Sequence, residues 1–137
     1  MKRMAIMLTL ALVVGIAVGV IGTQLLHAQQ EPVKVTELVK TDLAGVPGRE
    51  AQMYLVDIAP GATTGKHYHH GHTFVYVLRG AARLEEGKPP VTFKAGQAFH
   101  ELPQAQHNFK NASKTQPVKL LVFMTPEKGH PFGVPVK

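Results

Sequence analysis

The chain has 137 residues, which suits one domain rather than two. Its formal net charge of +6 comes with no basic cluster interleaved with aromatic residues, so the sequence argues against nucleic-acid binding. The chain contains no cysteine, which excludes disulfides, thiol catalysis, iron–sulfur clusters and cysteine-ligated zinc.

An apolar segment opens the chain and predicts one hydrophobic N-terminal helix. Lys2 and Arg3 precede an uncharged run from Met4 to Leu26, and the small residue Ala28 follows. This order is typical of a secretory signal peptide, residues 1–28, removed after Ala28. Because about 20 apolar residues span a bilayer, residues 4–26 would serve equally as an uncleaved signal anchor. Either interpretation predicts a periplasmic or extracellular protein whose membrane contact is confined to this helix.

Short strands separated by glycine and proline turns are predicted for the rest of the chain, which has no sustained helical period. Residues 29–49 are expected to be a linker and an N-terminal edge strand, residues 50–125 an all-β barrel, and residues 126–137 an extended C-terminal strap. The predicted strands are residues 35–39, 51–58, a histidine-containing strand, 73–79, 81–85, 91–94, 97–101, 106–110 and 118–124. The aromatic residues expected to fill or line the barrel are Phe74, Tyr76, Phe93, Phe99 and Phe109.

Four histidines lie close together, at His67, His69, His70 and His72. Side chains alternate faces along a strand, so His67 and His69 are expected to point the same way and to reach one ion. Neutral imidazole suits zinc, copper, iron and nickel, and manganese becomes suitable when a carboxylate joins. His70 and His72 are predicted to be exposed loop residues at the mouth of the barrel.

The spacing of Gly61, His67, His69 and Gly80 resembles the first motif of the cupin superfamily, G-x5-H-x-H-x3-E-x6-G. Thr73 stands where most metal-binding cupins have glutamate. A resemblance to this superfamily implies a jelly-roll barrel, also called a double-stranded β-helix.

Gly96, Pro103, His107 and Asn111 resemble the second cupin motif, with a gap between Pro103 and His107 that is one residue shorter than usual. The two motifs together cover about residues 50–125. The resemblance implies that His107 comes from a neighbouring strand to be the third metal ligand.

The sequence does not identify the fourth ligand, because Thr73 carries a neutral hydroxyl that binds metals poorly. Glu101, His72 or water are the candidates to replace the motif glutamate. Glu101 is predicted to be a metal ligand or a catalytic base beside the metal. Its structural alternative is a solvated carboxylate that caps the turn at Pro103.

The N-terminal segment predicts an exported protein, and the resemblance, which extends to small quercetin-dioxygenase-like cupins, implies that it binds one divalent transition metal: iron, manganese, zinc, nickel or copper. Dioxygenase- or isomerase-like chemistry on a small organic molecule would follow. The alternative is a non-catalytic cupin that binds or senses a metal or ligand. Because small cupins often pair, a homodimer is also expected.

Overall fold

The structure is a computed structural model that describes residues 31–85 and 89–137. Ten β-strands make up the regular structure of these ranges. Their bounds are β1 Val33–Asp42, β2 Glu50–Ile58, β3 His67–Tyr68, β4 His72–Arg79, β5 Ala81–Leu84, β6 Val91–Lys94, β7 Ala98–Glu101, β8 Phe109–Asn111, β9 Val118–Thr125 and β10 Val134–Pro135. The predicted N-terminal helix, with its signal-peptide and anchor alternatives, lies outside the described residues. Within the described ranges, no helix is long and apolar enough to cross a membrane.

The strands form three antiparallel sheets. The largest has the order β1-β2-β9-β4-β7, a three-stranded sheet has the order β6-β5-β8, and β10 pairs with β3. Consecutive residues of β2 and β9 alternate between buried and half-buried, as expected where one face of a sheet covers a core. Such an all-β arrangement confirms the predicted fold class.

One hydrophobic core joins the larger two sheets. The five-stranded sheet supplies most of its buried side chains, and β5 and β8 supply Ala82, Leu84 and Phe109 from the opposite side. Other buried members are Tyr54, Val56, Ile58, Val75, Val77, Val118, Leu120, Val122 and Met124. The barrel is therefore closed by two layers whose apolar faces meet.

The predicted strands differ from the observed ones mainly at their ends. β1 is the expected edge strand, and it extends past Val35–Val39 in both directions. The histidine-containing strand is only two residues long, because the chain leaves the sheet before Gly71. A Cβ atom at residue 71 would lie 2.4 Å from the backbone nitrogen of Pro126, so glycine alone permits this close approach.

The expectation that Phe74 and Tyr76 fill the barrel was wrong. Their side chains are 47% and 42% exposed on the outer face of β4, whereas Val75 and Val77 are buried. Strand alternation is the reason, because residues of one parity share one face. Phe109 does belong to the core, and Phe93 and Phe99 pack against it.

Candidate metal centre

The two histidine motifs meet in a single pair of residues. His67 and His107 form an antiparallel bridge, in which each backbone N–H donates to the other residue's carbonyl oxygen at 2.9 Å. This is a hydrogen-bonded cross-strand pair, which fixes the two Cα atoms close together. The backbone thus holds His107 beside the first motif even though the second motif is one residue short.

Three imidazole rings converge at this bridge. The ring centroids of His67 and His107 are 4.4 Å apart, and the ring of His69 lies 5.1 Å from each of them. One ring nitrogen from each histidine lies within 4.8 Å of the other two. His69 is outside β3, yet its side chain keeps the direction that strand alternation predicted.

A backbone carbonyl fixes the tautomer of each ring. The Nδ1 atom of His67 is 2.9 Å from the carbonyl oxygen of Gly65, and that of His107 is 3.0 Å from the carbonyl oxygen of Ala105. The Nδ1 atom of His69 is likewise within hydrogen-bond distance of the carbonyl oxygen of Phe132. A carbonyl oxygen only accepts, so Nδ1 carries the proton in all three rings and each Nε2 has a free lone pair.

The Nε2 atom of His107 is a buried polar atom without a hydrogen-bond partner among the described residues. A buried polar atom of this kind requires an explanation, and an ion is one. Three neutral imidazoles whose other nitrogens are anchored to carbonyls are the usual donors for a divalent transition metal. The residues therefore fit such an ion.

Burial keeps these rings neutral. It lowers the pKa of His69 to about 4 and, together with the proximity of His67, the pKa of His107 to about 3. The pKa of the half-buried His67 is also lowered by burial. Because a metal competes with protons for the same lone pairs, low pKa values leave the donors available at neutral pH.

Glu101 supplies a carboxylate to the same place. Its Oε1 lies 3.4 Å from Nε2 of His107 and its Oε2 lies 3.7 Å from Nε2 of His69. The side chain is 1% exposed, so it is not the solvated cap of a turn. The structure thus brings the predicted fourth residue next to the rings of His69 and His107.

The strand register explains how Glu101 reaches this position. Thr73, at the motif position for glutamate, is directly opposite Glu101 in the β4–β7 pair. Side chains of directly opposed residues emerge about 5 Å apart on the same face. The hydroxyl of Thr73 donates to the carbonyl of Gly71 at 3.2 Å, and the carboxylate at this place comes from the neighbouring strand.

The other histidines of the described ranges lie away from the three rings. His72 is exposed on the outer face of β4, where its Nδ1 is 2.9 Å from Nε2 of His100. The ring of His70 stacks on that of His130 at a centroid distance of 3.9 Å. His72 therefore does not replace the motif glutamate, because its parity on β4 is opposite to that of Thr73.

Asn111 of the second motif stabilises the fold through hydrogen bonds to backbone groups. It is fully buried, and its amide nitrogen donates to the carbonyls of Ile58, Ala59 and Gln116 at 2.8 to 3.1 Å. Its side-chain oxygen accepts from the backbone of Ser113 at 3.0 Å. These bonds tie the end of β2 to the loop between β8 and β9.

The C-terminal strap, residues 126–137, contributes to the centre in a way that the sequence did not indicate. Strand β10 pairs Val134 with Tyr68 and Pro135 with His67, and the Phe132 ring packs on His69 at 5.1 Å. A Cβ at residue 133 would be 3.3 Å from the His67 ring. Since the key group is the carbonyl of Phe132, no side-chain pattern could have revealed it.

A cavity of about 380 Å³ adjoins the rings. His67, His69 and Glu101 line it on one side, and most of its other lining residues are aliphatic or aromatic, with Phe132 and Pro135 contributed by the strap. Its volume falls within the range of small-molecule sites. A metal held by these side chains would have room beside it for an organic ligand.

The fold and the histidine cluster define a double-stranded β-helix protein with a candidate metal centre in its barrel. Residues 54–124 match the model of the family described as "Cupin domain". The chain belongs to this family, whose members commonly bind a metal.

Solved structures support the fold. The chain is similar to a cupin-like protein from Thermotoga maritima, with 28% identity, a TM-score of 0.61 and coverage of 76% of this chain and 75% of the other. It is also similar in fold to the polyketide cyclase RemF from Streptomyces resistomycificus (20% identity, TM-score 0.60, coverage 78% and 72%). A third is the DMSP lyase DddQ from Ruegeria pomeroyi (18% identity, TM-score 0.61, coverage 77% and 52%). No protein of curated function matches the sequence.

Proposed function

We propose that the protein binds one divalent transition metal through His67, His69 and His107, with Glu101 as the fourth ligand or as a base beside it. The carrying observation is the set of three Nδ1–H groups held by backbone carbonyls, which leaves three Nε2 atoms for an ion. Preorganised neutral donors next to a carboxylate suit iron, manganese, zinc, nickel or copper.

We propose further that the centre performs dioxygenase- or isomerase-like chemistry on a small organic molecule. A bound ion would supply Lewis acidity or activate oxygen. The chain's own contribution would be to orient the substrate against the aliphatic wall, to exclude water, and to accept or return a proton at the carboxylate of Glu101. Two structural neighbours carry the names of enzymes, a cyclase and a lyase, which is compatible with small-molecule chemistry in this fold.

A non-catalytic, ligand-binding or sensor function is the alternative, and one observation favours it. Among the described residues that line the cavity, the titratable ones are His67, His69 and Glu101. Should all three hold the metal, the described lining contains no separate acid or base for catalysis. Binding without turnover would then be the activity of the cavity.

Turnover by metal-loaded protein distinguishes these two functions. Protein loaded with each of the five metals would be incubated with small aromatic and aliphatic candidates, in air and without oxygen, and the products analysed by mass spectrometry. An enzyme should give a product with wild type and none with His107→Ala. Ligands that bind in stoichiometric amounts and return unchanged with every metal would favour the non-catalytic function.

Export and dimer formation are further proposals from the sequence. The basic start and apolar run of residues 4–26 support translocation into the periplasm or beyond, with cleavage or anchoring as alternative outcomes. The intact mass of protein from the membrane and periplasmic fractions would separate these outcomes. Light scattering at several concentrations would test for a homodimer.

A further inference from the structure

The cavity has a polar, deeply buried end, and two further polar residues that line it, Thr64 and His67, are partly exposed. Glu101 is 1% and His69 is 3% exposed, so they mark the floor. Val35 is 43% exposed and lines the cavity at its rim. Much of the wall between them is apolar, formed by Val33, Val56, Val75, Phe109, Leu120 and Val122.

No lysine or arginine is present among the described residues that line the cavity. A charged group placed against the wall would lose its hydration without gaining a partner, which costs several kcal/mol unless the charge is paired. Hydroxyl groups of a sugar would meet a smaller penalty of the same kind at each unpaired position. Molecules that carry charges or several hydroxyl groups away from one end, such as dicarboxylates, zwitterionic amino acids and sugars, are therefore poor occupants.

The cavity volume limits the size of the occupant. An apolar cavity of about 150 Å³ holds one benzene molecule, and this cavity measures about 380 Å³. It therefore accommodates about two aromatic rings, or an aliphatic body of equal volume. Burial of such a body against aliphatic walls is favoured because it removes apolar surface from water.

We infer that the natural ligand has one polar end and an uncharged apolar body of about two rings, bound with its polar end at His69 and Glu101. This inference rests on the proposed metal centre for its polar end only. A divalent ion beside one carboxylate has a net formal charge of +1, so the polar end can be neutral or anionic. The apolar wall restricts the rest of the molecule in either case.

Two probes that share one ring system test the inference. The first is 2-naphthol, and the second is 6-hydroxy-1-naphthoate, which has the same hydroxyl end and adds a carboxylate on the side of the second ring. Their dissociation constants would be measured by calorimetry on zinc-loaded protein, with the zinc content determined on the same samples. We expect 2-naphthol to bind at least about ten-fold more tightly, because the carboxylate has no partner on the wall.

Two arginine variants on strand β1 provide the matched comparison. Val35→Arg places a cation at the cavity rim, where it can pair with the carboxylate of the naphthoate. It should reduce the preference for 2-naphthol over the naphthoate by about three-fold, as expected for a partly exposed ion pair. Val39 is similarly exposed on the same strand, lies beyond the bulge and does not line the cavity. Val39→Arg should leave the preference unchanged.

The outcomes separate the inference from the metal proposal. Equal binding of the two probes, tighter binding of the naphthoate, or no binding of either by zinc-loaded protein would overturn the inference and leave the metal centre standing. A preference that Val35→Arg and Val39→Arg leave equally unchanged would also overturn it. Protein that takes up no zinc yet still binds 2-naphthol more tightly than the naphthoate would support the inferred apolar ligand and contradict the proposed metal centre.

Discussion

Replacing Glu101 with glutamine removes one negative charge from the centre and keeps the shape of the side chain. The carboxylate oxygens lie 3.4 Å and 3.7 Å from the Nε2 atoms of His107 and His69, so an ion bound by those nitrogens has the carboxylate beside it. Removal of one partner from a buried charge pair costs about 3 to 5 kcal/mol. If Glu101 is a direct ligand, the substitution should therefore weaken metal binding by more than about 100-fold. If the carboxylate only orients the other ligands, the substitution should weaken metal binding by about 10- to 100-fold.

Competition with a chromophoric chelator at neutral pH measures this loss for zinc. Glu127→Gln is the matched control, because that carboxylate is 64% exposed and makes a surface ion pair with Arg49. It should bind zinc like wild type. Circular dichroism and thermal unfolding of the metal-free Glu101→Gln protein would establish that it is folded. Zinc affinity within about three-fold of wild type in a folded Glu101→Gln protein would refute any role of this carboxylate at the metal.

Three further predictions follow from the contacts. The pKa of His69 is about 4 and that of His107 about 3, against 6.5 in the unfolded chain, so the unfolded chain takes up protons first as the pH falls. Metal-free protein should therefore lose about 3 kcal/mol of stability between pH 7.5 and 5.5; equal urea midpoints at the two pH values would contradict this. Asn111→Ala should lower the free energy of unfolding by about 1 to 3 kcal/mol, because the buried carbonyl of Ile58 loses the bond from this amide, and urea unfolding showing a loss below about 0.5 kcal/mol would be inconsistent with that bond. The Phe132→Ala variant should still bind zinc, since the carbonyl that holds His69 belongs to the backbone. It should bind 2-naphthol more weakly, because the substitution removes part of the cavity wall. Loss of zinc binding with unchanged 2-naphthol binding would contradict both expectations.

Local patterns predicted the histidine part of the centre. The alternation of side chains along a strand put His67 and His69 on one side, and the motif resemblance selected His107. Both depend on residues that are near in sequence or on a familiar spacing. The structure then showed how the shortened second motif is accommodated, through the reciprocal backbone bonds of His67 and His107.

Glu101 and the strap required the three-dimensional register. Whether Glu101 reaches the histidine rings depends on its being opposite Thr73 in the β4–β7 pair, and a shift of one residue would turn it to the outer face. The carbonyl of Phe132 reaches His69 across 63 positions of sequence through a backbone atom. Neither contact has a signature in residue type or periodicity.

The misplacement of Phe74 and Tyr76 was avoidable. Thr73 occupies the motif position that faces the barrel interior, so its even-numbered neighbours on the same strand must face outward. Aromatic character alone does not indicate which face of a strand a side chain occupies. A position whose direction is known from a motif fixes the direction of the whole strand around it.

Metal content is the most direct test of the central claim. Untagged protein would be purified, incubated with iron, manganese, nickel, copper or zinc, and analysed by elemental analysis beside His67→Ala, His107→Ala and the exposed-site control His72→Ala. The account predicts one equivalent of metal in wild type and in His72→Ala, and none in the other two variants. Wild type that stays empty with all five metals, or metal that persists in the His67→Ala and His107→Ala variants, would contradict it.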